Sequence, residues 1–325
     1  MNKTIRWLAS DLTILDLGAA GSMSLPALKP LLKAITLIEI DAAAKPTTGT
    51  LTYGKRIGLK TAVSGTTGRR TFYKRKFAPS SSFLKINPEL AAAYGLQNLF
   101  EPDGEMELEC ETLRSILAAH ELGRVDFLKT DLEGLDFEVL TSAPDLVGQS
   151  LVIQSELRFQ PLYVGEPDFC ATASFLRDLG FELITLRPEF WKYATRHSPV
   201  MRDGRLAWAD AIFVLSREKV EQVFQESAPR AFVKQIILAQ ALEMSNYAEH
   251  LYESAKPVLP AFAQQELQRY LAPGPRLPCI LRHMANSLAE IPGGGRVLWF
   301  ARRLLLSGAR ACTIHKNLKH LAFPS

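Results

Sequence analysis

Asp131 and Glu133 stand two residues apart at the end of an apolar run, in the segment FLKTDLEGLDFEVL from Phe127 to Leu140. A buried strand followed by a glycine turn and an amphipathic helix would set both carboxylates at the lip of a sheet. Carboxylates in that position can accept a proton as a general base, hold a cation, or accept hydrogen bonds from ligand hydroxyls. Acids recur in the same setting. TILDLG ends in Asp16 and Gly18, TLIEID ends in Glu39 and Asp41, and SLVIQSELRF carries Glu156. Burying several carboxylates together is costly unless something offsets the charge. The pattern therefore asks for a cationic ligand, a metal or bound hydroxyl groups.

The elements that must hold these residues alternate along the chain. TILDLG, TLIEID, LKTAVSG, VDFLKTD and SLVIQSELRF have the apolar texture of buried strands. LPALKPLLKAI, LECETLRSILAAHEL, LDFEVLTSA and DFCATASFLRDLGF have helical spacing, the last with Gly180 just past its end. TTGRRTFYKRKFAPSSSF is polar and basic, and it is expected as a hairpin or loop. FELITL and ADAIFVLS have no helix between them, only the loop Arg187 to Trp208, so an antiparallel pair at the sheet edge is expected. The whole predicts a doubly wound, mostly parallel α/β sheet. After Arg217 the strand signals stop, and the chain becomes helical, proline-broken and finally basic. A boundary is expected near residue 218, giving a domain over 1–217 and a helical, basic extension over 218–325.

Bulk properties narrow the function. The net charge is only +4 and gives no reason to expect nucleic acid. The four cysteines form no CxxC pair, which argues against a zinc knuckle and suits a reducing compartment. The N-terminus shows no secretory pattern and no apolar run is long enough to span a bilayer, so the expected location is cytoplasmic.

DLGAAGS points to a ligand class. A strand, a glycine turn and a helix bring backbone close to a bound molecule. The dinucleotide pattern GxGxxG fails at Ala20 and Met23. An acid before the glycine and another at the end of the next strand suit a ligand with an amino group and a ribose diol. S-adenosylmethionine has both, plus a positive sulfonium.

The chain resembles the FkbM family of class I S-adenosylmethionine-dependent methyltransferases, over roughly Ile14 to Leu215. The segments that carry the resemblance are LDLGAAGS, LIEIDA, TAVSGTTGRRTFY with its following SSSF, CETLRSIL, VDFLKTDLEGLDFEVLTSA, IQSELRFQPLY and FLRDLGFEL. One departure is Ser22, with Gly21 before it, where the family usually has a glycine four residues after the first. The resemblance implies a Rossmann-like fold and methylation of hydroxyl groups, often on sugars or natural products. It implies that Asp16, Gly18, Ala19, Gly21 and Ser22 line the methionine side of the cofactor, that Glu39 accepts from the ribose, and that Asp41 lies near the adenine. Asp131 would sit where donor and acceptor meet.

Asp131 and Glu156 are the candidate general bases, with His197 a further one. Glu133 also has a plain reading, an acid favoured at a helix start. Asp131, Glu133 and Glu156 could instead hold a divalent cation; no metal is the primary expectation. Phe190, Trp191, Tyr193 and Trp208 suit a polar ring acceptor such as a saccharide, or simply pack a loop. YKRKF, Tyr73 to Phe77, would meet an acidic substrate or face water. The tail from Gly293 is expected either to lie on an anionic membrane surface at the inner face of the membrane, or to pack on the catalytic domain or on a second subunit in self-association. Two other functions compete: a ligand-binding interaction module without activity, and a nicotinamide-dependent oxidoreductase on the same architecture.

Overall fold

The computed structural model describes residues 11–19, 25–42, 53–194 and 204–272. The strands of the main sheet are β1 (Leu12–Leu17), β2 (Ile35–Asp41), β3 (Lys55–Lys60), β7 (Phe127–Thr130), β8 (Val152–Arg158), β9 (Phe181–Trp191) and β10 (Arg205–Leu215). They stand in the order β3-β2-β1-β7-β8-β10-β9. All neighbours are parallel except β10, which runs antiparallel to both β8 and β9. The expected α/β sheet and its antiparallel edge pair are present. A smaller sheet is formed by β4 (Ala62–Val63), β5 (Gly68–Arg75) and β6 (Pro102–Glu111), ordered β4-β6-β5.

Some elements differ from expectation. The third strand of the main sheet is Lys55–Lys60, while Ala62 and Val63 of LKTAVSG turn away into the small sheet. Leu108 to Leu122 is not one helix. It is the end of β6 followed by a helix over Leu113–Ala119, because Glu105, Glu107 and Glu109 alternate with apolar residues at strand period. Thr112 separates the two, its side chain accepting from Ser115 N–H as a helix cap. The proline-containing run Pro26–Ala34 is a 3-10 helix. The loop expected from Arg187 to Trp208 is shorter, because β9 continues to Trp191 and β10 begins at Arg205.

Helices α1 (Pro88–Ala93), α2 (Leu113–Ala119), α3 (Asp136–Thr141), α4 (Pro144–Val147) and α5 (Phe169–Asp178) connect the strands. Four more follow β10: α6 (Arg217–Phe224), α7 (Ala228–Ala241), α8 (Ser245–Ala255) and α9 (Ala261–Leu271). Their apolar residues belong to the same buried cluster as β1, β2, β7, β8 and β10. Helix α7 is buried on most of its surface, including Val233, Ile236, Ile237 and Leu238. Two of its polar side chains tie it to the sheet and to the residue before β7. Gln235 Nε2 donates to Leu215 O at 2.7 Å, and Lys234 Nζ lies 2.7 Å from Asp126 Oδ2. Burial pushes the Asp126 carboxyl up, and Lys234 opposes the shift.

Helix α7 therefore acts as part of the sheet's packing. A chain ending at residue 217 would expose the sheet residues that α7 covers, with about 1.5–3 kcal/mol lost for each large aliphatic side chain uncovered. Such a chain is expected to show no cooperative thermal transition, whereas a chain ending at residue 272 should melt cooperatively. Near-ultraviolet circular dichroism with temperature checks both.

Candidate active site

Side chains alternate along a strand, and paired residues of neighbouring strands point to the same face. Asp16 pairs with Glu39 on one side and Lys129 on the other, and Lys129 pairs with Gln154. Glu156 pairs with Asp210, and Arg158 with Trp208. By this alternation Glu39, Asp16, Lys129, Gln154, Glu156, Arg158 and Asp210 share one face at the carboxyl ends of the strands. Asp131 joins them one residue past β7, where its N–H still donates to Leu17 O at 3.1 Å. The opposite face at the same height carries Ile40, Leu17, Thr130, Ser155 and Ala211. There Thr130 Oγ1 donates to Ser155 Oγ at 2.8 Å.

Asp16 is fully buried. Lys129 Nζ sits 3.1 Å from its Oδ1 and 3.4 Å from Asp131 Oδ2. Asp16 Oδ2 is buried with no hydrogen-bond partner. An unsatisfied buried acceptor costs about 1–3 kcal/mol. Burial pushes the Asp16 carboxyl up to about 6, against the pull of Lys129. Burial pulls Lys129 down, but Asp16 and Asp131 outweigh it and hold the ammonium charged.

Gly18 sets the approach of β1 to β7. Its φ is +79°, and a Cβ there would stand 1.9 Å from Asp131 O. Only glycine fits that contact. Gly18 and Ala19 both donate from N–H to Ile40 O, at 3.0 and 3.4 Å. Glu39 is buried and held by Arg56, with Nε 2.6 Å from Oε2 and Nη2 2.9 Å from Oε1. Asp41 closes β2, its carbonyl accepting from Thr61 N–H at 3.2 Å. Gly21 and Ser22 lie outside the described residues.

A second cluster surrounds Arg158, which is buried. Its Nη2 lies 2.7 Å from Glu133 Oε2 and 2.5 Å from Glu156 Oε1. Its Nε is 2.9 Å from Glu166 Oε1, a contact of charges only, since that Nε makes no hydrogen bond. Tyr163 OH donates to Glu133 Oε2 at 2.7 Å. Burial pushes Glu133 up and Glu156 well up, with Arg158 opposing in both. Burial likewise raises Glu166 to about 7. Glu133 occupies left-handed backbone, φ +50°, directly before Gly134 at +97°. Such strain costs on the order of 1–3 kcal/mol in a residue other than glycine. It aims the Glu133 carboxylate back toward Arg158 and Tyr163, so Glu133 does not cap the following helix. The helix has no side-chain cap; its first residue, buried Asp136, instead accepts from Leu132 N–H in the preceding turn at 3.3 Å and is pushed by burial to about 6.

The carboxylates of Asp131, Glu133 and Glu156 offer oxygens within 4.8 Å of one another. A divalent cation there would have to compete with Arg158. Of the aromatic residues expected near an acceptor, Tyr193 stacks on Tyr94 at 4.9 Å and Trp191 tilts against the same ring at 5.4 Å. Trp191 also packs on the small apolar cluster that contains Tyr163. His197 lies outside the described residues. Sequence reading singled out Asp16, Glu39, Asp131, Glu133 and Glu156 but missed Lys129, Asp136, Arg158, Tyr163, Glu166 and Asp210. The signal for Lys129, Arg158 and Asp210 was strand parity with the acids beside them.

Comparison with known proteins bears on this arrangement. Residues 35–183 match the Methyltransferase FkbM domain. Over those residues the chain is similar to FkbM methyltransferases. The match spans the glutamate at the end of β2, the Arg158 cluster and the turn at Asp131. No curated protein matches the chain. Among solved structures, magnesium protoporphyrin IX methyltransferase from Synechocystis PCC 6803, with bound S-adenosylmethionine, is 10% identical with a TM-score of 0.29, covering 66% of this chain and 77% of that one. A candidate tRNA (m1A22) methyltransferase of Streptococcus pneumoniae is 10% identical with a TM-score of 0.27, covering 83% of this chain and 99% of that one. Scores of this size establish no shared site or substrate.

Arg158 is the countercharge of the domain's inner cluster. Arg158→Met should lower the stability of the protein by about 3–5 kcal/mol at pH 8, because it strands buried carboxylates. The loss should shrink at pH 5.5. The folded-state values of Glu133, Glu156 and Glu166 are raised, so these groups take up protons as the pH falls and then need no countercharge. Urea denaturation at the two pH values measures the difference.

Proposed function

We propose that this chain is an S-adenosylmethionine-dependent O-methyltransferase acting on a hydroxyl of a saccharide or related polyol. The observation that carries this reading is the orphaned Asp16 Oδ2, buried at the strand ends beside Glu39 and Asp131. It is an acceptor for the positive end of the cofactor. Glu39, which Arg56 holds at both oxygens, is the acid assigned to the ribose hydroxyls. Gly18 and Ala19 are assigned to the methionine portion together with Gly21 and Ser22, and Asp41 to the adenine. The cofactor supplies a methyl group on positively charged sulfur.

This chain's own residues supply position and a proton acceptor. An alcohol is a weak nucleophile until its proton is taken. Asp131 has a side chain 38% exposed, against 12% for Glu156, so Asp131 is the base that a hydroxyl entering from solvent meets first. Glu156 stands behind it, held by Arg158. Because Arg158 already occupies the space between Glu133 and Glu156, where a metal would have to displace it, we read the reaction as independent of metal. In this account residues 1–217 carry the chemistry, and the helices of the extension up to residue 272 brace the sheet. Among the described residues no helix is long and apolar enough to cross a membrane.

Asp131→Asn keeps shape and removes basicity. Methyl transfer should fall about 10²-fold or more, with cofactor affinity changed little. An unchanged rate would leave Asp131 a structural role only. Glu39→Ala should weaken S-adenosylmethionine binding, by about 1.5–3 kcal/mol per charge-assisted bond lost. Calorimetry of the variant decides the ribose assignment. Activity should survive excess chelator; its loss would restore the metal reading of Asp131, Glu133 and Glu156.

A further inference from the structure

Arg75 is the opposite of Arg158. It ends β5 at a register shift, buried to 9% exposure. Its Nε is buried without a hydrogen-bond partner. Among the described residues no carboxylate pairs with it. Acids are close at hand but are taken by its neighbours. Lys74 pairs with Asp103 at 3.2 Å, and Lys76 pairs with Glu101. The side chains of Lys74 and Lys76 stand exposed to water, whereas Arg75 is buried. A guanidinium with its Nε withdrawn from water and no carboxylate beside it among the described residues is costly and calls for an anion at its outer nitrogens.

The surroundings fit that need. Arg75 Cζ lies 5.9 Å from the centre of the Tyr73 ring, and Lys85 Nζ lies 5.8 Å from the same ring. Lys85 is exposed and has no ion pair among the described residues. Arg75 N–H donates to Ser81 Oγ at 3.0 Å. The flanking serines reach the candidate active site. Ser82 Oγ donates to Glu133 O at 2.7 Å, and Ser80 O lies 3.2 Å from Tyr163 OH. Lys85 is tied to the same region, its carbonyl accepting from Val164 N–H at 2.8 Å.

We infer that Arg75 and Lys85, set about the Tyr73 ring, form a recognition subsite for an anionic group, phosphate or carboxylate, carried by the methyl acceptor. This rests on the reading of the neighbouring site as a methyltransferase centre, and it narrows the acceptor from any polyol to an acidic one. The anion neutralises Arg75, and the serine run fixes its distance from the reacting edge. Charge-assisted bonds from guanidinium to phosphate or carboxylate are short and directional.

Calorimetry on the full-length protein at low ionic strength tests it, with glucose 6-phosphate, glucuronate and glucose as probes. One or both acidic sugars should bind measurably and glucose should not; which acid binds tighter separates a phosphate-bearing from a carboxylate-bearing acceptor. Arg75→Gln and Lys85→Gln should each weaken that binding about tenfold or more. Should Arg75→Gln fail to fold, the exposed Lys85→Gln carries the test. Acidic sugars that bind no better than glucose, or variants that bind them like the parent, overturn the subsite. Titrating S-adenosylmethionine into the same samples keeps the two claims apart. Cofactor binding retained without anion binding removes only the subsite, and cofactor binding lost in the parent removes the methyltransferase reading.

Discussion

One face of the sheet carries more carboxylate than its own cations neutralise, and the site is organised around that imbalance. Lys129 serves Asp16 and Asp131 at once, and Arg158 serves Glu133, Glu156 and Glu166. Neither cation is sufficient. The shortfall shows as carboxyls pushed up by burial, Asp16 and Asp136 to about 6 and Glu166 to about 7. Groups raised in the folded state stabilise it below their unfolded values, and that contribution is lost as the pH rises through 6 to 7. At neutral pH the free protein therefore holds ionised acids at a cost. A bound cation relieves it, which ties ligand affinity to the electrostatics of the fold.

The imbalance persists because packing leaves the acids nowhere to go. Gly18 lets β1 and β7 close so tightly that the Asp131 carbonyl takes the space of a side chain. The left-handed pair Glu133 and Gly134 turns the chain back toward Arg158. Tyr163 and Ser82 hold Glu133 by its side chain and its carbonyl. On the far end of the strands, Gln235 and Lys234 of α7 satisfy Leu215 O and Asp126. The helices after β10 thus brace the end of the sheet away from the strand carboxyl ends.

Much of this was visible in the order of residues. Apolar runs ending in Asp16, Glu39, Asp131 and Glu156 located the strand ends and the face that matters. The same alternation placed Lys129 with Asp131 and Arg158 with Glu156, although only the strand register shows which acids each cation meets. Tyr163 and Glu166 were not legible, because they come from an aperiodic turn whose path depends on packing against Ser80 and Leu84. The β6 strand was hidden because its glutamates and the following helix read as one amphipathic stretch. Arg75 looked like one more charge in YKRKF; only burial and the pairing of its two neighbours set it apart.

Calorimetric titration of S-adenosylmethionine in buffers of different ionisation enthalpy tests the central claim most directly. If the cation of the cofactor meets Asp16, binding lowers the carboxyl from about 6 and expels protons. The account predicts net proton release on binding at pH 6, falling off toward pH 8 and absent in Asp16→Asn. Binding at pH 6 with no proton release, or with uptake, would contradict it.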